Sequence, residues 1–240
     1  MEWFANWFNT PYYHLLYNNR DYVEAENFIQ LLLADLQLPQ HSKIIDLACG
    51  QGRHSVYLNK KGFQVLGLDL SEASIEHNQQ FCNDTLDFKV HDMRDPIVGE
   101  PVDAVMNLFT SFGYFDDPAD DDRVFCSVSN ILKPNGVFVL DFLNADFVRN
   151  TLVPHEEIQR GSILFKINKN IQQQQVIKDI RFSDEGRDFH FQEKVKLHSF
   201  EELATLASKH NLEYVKHWGD YQLAPHHPNS PRCIIIFKKK

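Results

Sequence analysis

DLACGQGRH, at residues 46–54, joins an apolar strand to a helix-compatible segment through a turn that contains two glycines. Residues 43–47 include two adjacent isoleucines, as expected of a strand that is buried on both faces. The segment 55–61 continues with Val56 and Leu58 in a helical pattern. Backbone N–H groups at such a helix start lack partners, and together with the helix dipole they favour an anionic or polar ligand group. We therefore expect a nucleotide-like ligand against this loop.

The loop alone does not identify the ligand, because a dinucleotide fingerprint reads G-x-G-x-x-G and Ser55 stands at the third glycine position. A second apolar run, 64–70, contains Asp69, whose carboxylate would be placed to accept hydrogen bonds from both ribose hydroxyls. That spacing fits either NAD or S-adenosylmethionine. Two further apolar runs lead to Asp92 and Asn107. In a parallel sheet all these strand ends lie at one edge, where ligands bind.

The order and spacing of these motifs resemble those of the class I S-adenosylmethionine-dependent methyltransferases. The resemblance rests on D-x-x-C-G-x-G at residues 46–52, on Asp69 after the second strand and on HDM at residues 91–93. It covers residues 40–145 strongly and the C-terminal strand pair more weakly. It implies S-adenosylmethionine as the cofactor and S-adenosylhomocysteine as its product.

Two other segments resemble the small-molecule branch of that family, which includes sugar N,N-dimethyltransferases and glycine/sarcosine methyltransferases. One is TSFGY at residues 110–114, and the other is the N-terminal pattern of Tyr13, Tyr17 and Arg20. This narrower resemblance implies a small polar methyl acceptor.

The fold expected from the element pattern and the resemblance is α/β, with a Rossmann-like seven-stranded mostly parallel sheet and an antiparallel β insertion after strand 5. We expect a single methyltransferase domain over 1–240, with an N-terminal helical cap at 1–38 and the insertion at 150–200. Ser199 is expected to cap the helix that follows the insertion. Strands are expected near 43–48, 64–69, 87–91, 102–108, 136–142, 212–218 and 233–237, with the last strand antiparallel between its neighbours.

The resemblance also implies which residues contact the cofactor. Asp46 would lie near the methionine amino group, and Asp69 would accept the ribose hydroxyls. Asp92 and the Met93 backbone would meet the adenine. The full expected set is Asp46, Ala48, Cys49, Gly50, Gly52, Asp69, Leu70, Asp92, Met93, Asn107, Leu108, Phe109, Tyr13, Tyr17 and Arg20.

Structural roles remain open for the acidic members of this set. Asp46 is also compatible with a carboxylate that caps the turn, and Asp69 with a helix N-cap before Ser71. Asp92 is equally placed to pair with Arg94 in a loop. Leu108 and Phe109 fit core packing nearly as well as a cofactor contact.

Candidates for closing the site and facing the acceptor lie outside the strand ends. Tyr13 and Tyr17 are expected to form an aromatic flap over the cofactor, with Arg20 on the methionine carboxylate; packing of an N-terminal helix on the sheet is the alternative. Tyr114 is the candidate catalytic, acceptor-orienting residue, with packing beneath the insertion as its alternative. No metal is expected, because Asp141 has no second acid at a matching spacing.

Composition restricts the partners. The chain has 240 residues and a formal charge of −9, which disfavours binding to a nucleic-acid backbone. Its four cysteines form no C-x-x-C pair and fit a reducing cytoplasm. Apolar runs of the length of a membrane span are absent from the sequence. We therefore expect a cytoplasmic protein, monomeric or homodimeric, with no nucleic-acid or membrane partner.

The sequence thus predicts an S-adenosylmethionine-dependent methyltransferase (EC 2.1.1.-) that acts on nitrogen or oxygen of a small polar molecule. One alternative is a protein that binds S-adenosylmethionine without catalysis, because the sequence shows no obligatory catalytic base. A second alternative is a nicotinamide-dependent oxidoreductase, which Ser55 and Asp92 disfavour.

Overall fold

A computed structural model describes residues 2–17 and 22–240 of the chain, so the expected role of Arg20 lies outside the described residues. The helices are α1 (Trp3–Phe8), α2 (Pro11–Leu16), α3 (Tyr22–Leu36), α4 (Arg53–Lys60), α5 (Glu72–Asn78), α6 (Pro118–Ile131), α7 (Ala145–Thr151) and α8 (Phe200–Lys209), with a short 3₁₀ helix at Gln79–Phe81. The strands are β1 (Lys43–Leu47), β2 (Gln64–Asp69), β3 (Leu86–Val90), β4 (Val102–Asn107), β5 (Leu132–Leu143), β6 (His155–Arg160), β7 (Ile163–Gln172), β8 (Gln175–Asp184), β9 (Arg187–Lys196), β10 (Leu212–Trp218) and β11 (Arg232–Lys239).

The larger sheet has seven strands in the order β10-β11-β5-β4-β1-β2-β3. The pairs β1–β2, β2–β3, β1–β4 and β4–β5 are parallel, and β11 runs antiparallel to both β5 and β10. The predicted seven-stranded, mostly parallel fold is therefore confirmed, including the antiparallel last strand. Because the strand order reverses between β1 and β4, a crevice opens at their carboxyl ends.

Apolar side chains fill both faces of the larger sheet, which explains why its central strands read as continuous apolar runs. On one face Phe125 of α6 packs edge-on against Phe138 of β5, and Phe237 of β11 stacks on Phe138. On the other face Phe28 and Leu32 of α3 pack with Ile44 of β1. The helices are thus fixed on both sides, so the strand-end loops are built on a rigid frame.

The predicted antiparallel β insertion after β5 is confirmed, and strands β6 to β9 form it as a separate four-stranded sheet. Phe165 of β7 and Phe182 of β8 are buried on the face that contacts Trp7 of α1 and Leu16 of α2. The sheet therefore carries the N-terminal helices on its apolar face. Strand β6 was not foreseen, because its six residues include only one apolar side chain, Ile158.

The start of α8 has the predicted cap. The Ser199 hydroxyl accepts the Glu202 N–H, while the Glu202 carboxylate accepts the Ser199 N–H, which completes a capping box. Within the described ranges, every helix falls short of the length and apolar content of a transmembrane span.

Candidate functional site

A cavity lies at the carboxyl ends of β1 to β4 and is covered by α1, α2 and the residue after α2. The strand ends supply its floor, and aromatic side chains of the N-terminal segment supply its roof. The lining residues are Phe4, Phe8, Tyr13, His14, Tyr17, Leu47, Ala48, Cys49, Gly50, Gln51, Arg53, His54, Asp69, Leu70, Ser71, Ser74, His91, Asp92, Met93, Leu108, Phe109, Ser111, Tyr114 and Phe115.

The loop after β1 has the conformation that its glycines allow. Ala48, Gly50 and Gly52 all have positive φ, at 63°, 53° and 74°. A Cβ on Gly50 would meet open space, which leaves its backbone accessible to a ligand, whereas a Cβ on Gly52 would lie 2.9 Å from the Phe88 ring. Gly52 is not among the residues that line the cavity: it turns the chain into α4 and packs on β3, and its expected contact with the cofactor stays a prediction.

Asp46 lies beneath this loop and is 1% exposed. Its carboxylate accepts the Ser55 hydroxyl at 2.6 Å. Burial, with the charge of Asp69 nearby, raises the pKa of Asp46 from 3.8 to about 6, and the Ser55 hydrogen bonds only partly oppose this. The Asp46 side chain does not line the cavity. It supports the turn after β1, which is the alternative role that the sequence allows for it.

Asp69 ends β2 and lines the cavity, and its expected hydrogen bonds to the ribose hydroxyls stay a prediction. Its two oxygens accept the Gly50 N–H at 2.7 Å and the Ser71 N–H at 2.8 Å. Burial raises the pKa of Asp69, and the Ser71 and Gly50 hydrogen bonds lower it by a smaller amount. The carboxylate therefore ties the β1 loop to the β2 loop and presents its remaining lone pairs at the junction.

Asp92 also lines the cavity. Its carboxylate is paired with Arg94, which is the alternative role that the sequence allows for it. Arg94 Nη2 lies 2.6 Å from Asp92 Oδ2, and the same guanidinium contacts Glu2 and Asp120. Burial raises the pKa of Asp92, but the Arg94 hydrogen bonds and charge outweigh it and hold the pKa below its usual value. Arg94 thus connects Asp92 in the β3 loop to Glu2, the residue that precedes α1. Beside it, Met93 lines the cavity.

The loop after β4 contributes Leu108 and Phe109 to the cavity, and their expected contact with the cofactor stays a prediction. Asn107 is buried behind them and does not line it: its amide donates to the Leu47 carbonyl at 3.0 Å and to the Ser111 carbonyl at 3.3 Å. Asn107 therefore joins the ends of β1 and β4, and its expected contact with the cofactor stays a prediction.

Tyr13 and Tyr17 line the roof of the cavity, with their rings 5.1 Å apart. The Tyr17 hydroxyl donates to both oxygens of Glu193 on β9, at 2.7 and 2.8 Å. Trp7 Nε1 donates to the same carboxylate at 2.7 Å, and Lys178 Nζ lies 3.0 Å from it. The N-terminal helices are therefore anchored on the smaller sheet, an arrangement that the sequence alternatives did not include.

Tyr114 lines the cavity beneath α1. Its ring packs against Trp3, Phe4 and Phe8, and its hydroxyl donates to the Thr110 carbonyl. The tyrosine is therefore covered mainly by the N-terminal helix. A second cavity adjoins it and shares Phe4, Leu70, Asp92 and Tyr114 with the first.

Several residues of the cavity wall were not among the expected cofactor contacts. Arg53 and His54, at the start of α4, contact the Phe109 ring: the guanidinium carbon lies 4.6 Å from the ring centroid, and the imidazole is stacked at 4.9 Å. Their signal was their position within the motif loop. Phe4 and Phe8 were marked only by the aromatic density of the N-terminus.

Across residues 2–17 and 22–240, no group of three or more His, Cys, Asp or Glu side chains is arranged to hold a metal ion. Asp141, the carboxylate considered for such a site, is instead paired with Arg232 at 2.6 Å.

Comparisons with known proteins agree with this geometry. A family model described as a methyltransferase domain matches residues 44–136. The chain is 38% identical over 111 residues to the putative methyltransferase YqeM of Bacillus subtilis, covering 45% of this chain and 44% of that protein. It is 32% identical over 132 residues to dTDP-3-amino-3,4,6-trideoxy-alpha-D-glucopyranose N,N-dimethyltransferase of Streptomyces venezuelae, covering 54% of each. The chain thus spans about half the length of these curated relatives.

The whole fold also has solved counterparts. A crystal structure of an S-adenosylmethionine-dependent methyltransferase from Clostridium acetobutylicum superposes with a TM-score of 0.80 at 19% identity, over 95% of this chain and 96% of that one. This likeness extends the shared fold well beyond residues 44–136. Residues 44–136 match the methyltransferase domain model, and the predicted resemblance of the chain to the class I S-adenosylmethionine-dependent methyltransferases is confirmed.

Proposed function

We propose that the chain transfers a methyl group from S-adenosylmethionine to nitrogen or oxygen of a small polar molecule. The observation that carries the proposal is the position of Asp69. This strand-end carboxylate is fixed by the Gly50 N–H of the motif loop and lines a cavity shared with Leu70 and Met93. A carboxylate beside apolar side chains matches a ligand that joins ribose hydroxyls to an adenine ring.

The wall residues fit the parts of this cofactor. Gly50 leaves its side of the loop open, so the methionine end has room against the backbone. Asp69 would accept the ribose hydroxyls, Leu70 and Met93 would contact the adenine, and Phe109 would flank the methionine portion. When bound, the cofactor supplies an electrophilic sulfonium methyl. The protein would hold the acceptor in line with it and exclude water, and orientation of this kind lowers barriers by roughly 7–11 kcal/mol in well-aligned cases.

The acceptor is proposed to enter through the second cavity, beside Tyr114. The two cavities share Tyr114 and Phe4, so a molecule in the second would meet the first at these rings. Glu2 and Asp116 also line the second cavity, and they make it suitable for a polar acceptor. The name of the Streptomyces venezuelae relative describes dimethylation of an amino sugar nucleotide, which favours nitrogen over oxygen as the methylated atom.

Calorimetry tests the cofactor, and a product assay tests the reaction. The protein should bind S-adenosylmethionine and S-adenosylhomocysteine and should not bind NAD; binding of NAD alone would contradict the proposal and favour the oxidoreductase. Release of S-adenosylhomocysteine should then be measured across amino sugars, amines and phenols. Cofactor binding without turnover on any acceptor in the panel would favour the non-catalytic alternative.

A further inference from the structure

Asp141, at the end of β5, is a fully buried carboxylate that gathers donors from three other segments of the chain. It is 0% exposed. Its Oδ1 accepts Arg232 Nε at 2.8 Å and Nη2 at 2.6 Å. Its Oδ2 accepts the Phe109 N–H at 2.8 Å and the Tyr221 hydroxyl at 3.1 Å. A charge so deep in the protein is tolerated only with such partners, so its four donors are held in fixed positions.

The Phe109 bond matters because the chain is strained at that point. Phe109 and Thr110 both have φ of 59°, in the left-handed region that side chains other than glycine avoid. Asp141 holds both residues there, since its side chain accepts the Phe109 N–H and its main-chain carbonyl accepts the Thr110 N–H at 3.0 Å. Two consecutive strained residues persist only where the surroundings fix them.

The strained turn places the Phe109 ring in the cavity wall between two partners. Tyr221 stacks on it at 4.8 Å, with an interplanar angle of 25°. His54, from the start of α4, stacks on it at 4.9 Å and 27°. Tyr221, Phe109 and His54 therefore form one row of stacked rings. The row joins the segment between β10 and β11 to the loop after β4 and to the start of α4. Its position depends on where Asp141 holds the Phe109 backbone and the Tyr221 hydroxyl.

We propose that Asp141 is a positioning residue for the methyl-donor site, acting through Phe109 and Tyr221 rather than by contact with the ligand. The inference rests on the proposed function, because the wall that Phe109 forms is assigned there to the methionine portion of S-adenosylmethionine. The segment around Tyr221, distant in sequence from every cofactor motif, thereby becomes part of the support of the donor site. A supporting side chain of this kind tunes binding without touching the ligand.

The test is the affinity for S-adenosylmethionine of Asp141→Asn, measured by calorimetry on the full chain well below its melting temperature. Asparagine offers one acceptor oxygen where the carboxylate offers two, so either Arg232 or the Phe109 N–H loses its partner. We expect Kd to rise about tenfold, equivalent to about 1.4 kcal/mol. The matched control is Asp103→Asn at the opposite end of the sheet, where a carboxylate likewise accepts a backbone N–H, from Lys43, and a cation, Lys133. It should lower the melting temperature and leave Kd unchanged.

A folded Asp141→Asn variant with wild-type Kd would overturn the inference. If that variant does not fold, Tyr221→Ala decides, because it removes the stacked ring and one donor while leaving the Arg232 pair in place; a wild-type Kd for it would be equally contradictory. The two hypotheses fail separately. Absence of S-adenosylmethionine binding by the wild-type protein rejects the proposed function, whereas wild-type binding with an unaffected Asp141→Asn variant rejects only the role of Asp141.

Discussion

Replacing Asp46 by asparagine should stabilise the ligand-free protein at neutral pH. The carboxyl has a folded pKa of about 6 against an ordinary value of 3.8, because burial disfavours its charge. A difference of about 2 pKa units costs about 3 kcal/mol once the group is ionised. Asparagine has the same shape and retains an oxygen that can accept the Ser55 hydroxyl, so it removes the charge without removing that bond.

The sign of the pH dependence follows from the raised pKa. Below about pH 4 the carboxyl is neutral in both the folded and the unfolded chain, and the variant should match the wild type. Between about pH 4 and pH 6 the unfolded chain releases its proton first, so the wild type loses stability as the pH rises. Above pH 6 the folded group is also ionised, and the advantage of the variant becomes constant.

Urea unfolding followed by circular dichroism at about pH 4 and pH 7.5 measures this difference. Asp46→Asn should exceed the wild type in unfolding free energy by up to about 3 kcal/mol at the higher pH. A variant that is less stable than the wild type at pH 7.5, or an advantage that does not change with pH, would refute the reasoning.

Asp103→Asn supplies a control in which the pH dependence of the stability difference has the opposite sign. Burial raises the pKa of Asp103, but Lys133 and the Lys43 N–H outweigh it and hold the pKa below its usual value. This carboxylate contributes stability that is present above the unfolded pKa and is lost as the pH falls through the folded one. Asp103→Asn should therefore be less stable than the wild type at pH 7.5, and the gap should close on acidification.

Three further substitutions test other parts of the structure. Asp69→Ala should raise the Kd for S-adenosylmethionine, measured by calorimetry, by about a hundredfold through loss of charge-assisted hydrogen bonds. The control is Asp87→Ala, at an exposed position of β3, which should leave that Kd unchanged. Glu193→Gln should lower the unfolding free energy by about 3 kcal/mol, because the buried ion pair with Lys178 is broken. Stopped-flow measurement should also show faster release of S-adenosylmethionine from this variant. An unchanged release rate would mean that the contacts of Glu193 with Trp7 and Tyr17 do not keep the site closed. Gly67→Ala should cost about 1–3 kcal/mol, since its Cβ would lie 2.4 Å from the Phe88 ring, and an unchanged urea midpoint would contradict that packing.

The sequence predicted the larger sheet well because periodicity and strand-end polarity are local signals. Continuous apolar runs such as 43–47 identify strands buried on both faces, and acids after them identify the ligand edge. Apolar periodicity did not reveal β6, because Ile158 is the one apolar residue among its six. That strand is stabilised by pairing with β7, which no property of its own six residues reveals.

For the site, the sequence identified the strand end at which a residue lies but not the depth or direction of its side chain. Asp69 faces the cavity, whereas Asp46 and Asn107 lie beneath it and hold the loops together. The Tyr17–Glu193 hydrogen bond joins residues that are 176 positions apart. Contacts at such separation depend on how the two sheets pack, which is set by tertiary structure and not by local pattern.

The two sides of the cavity belong to different parts of the fold, and this separation has a functional consequence. The floor is formed by loops of the larger sheet, held by Asp69, Asn107 and Asp141. The roof is formed by α1 and α2, whose Trp7 packs into the smaller sheet and donates to Glu193. A change in the smaller sheet therefore shifts the roof while leaving the strand-end loops in place. We expect donor recognition to follow the floor and acceptor selectivity to follow the roof, because Trp3, Phe4 and Ala5 of α1 line the second cavity beside Tyr114.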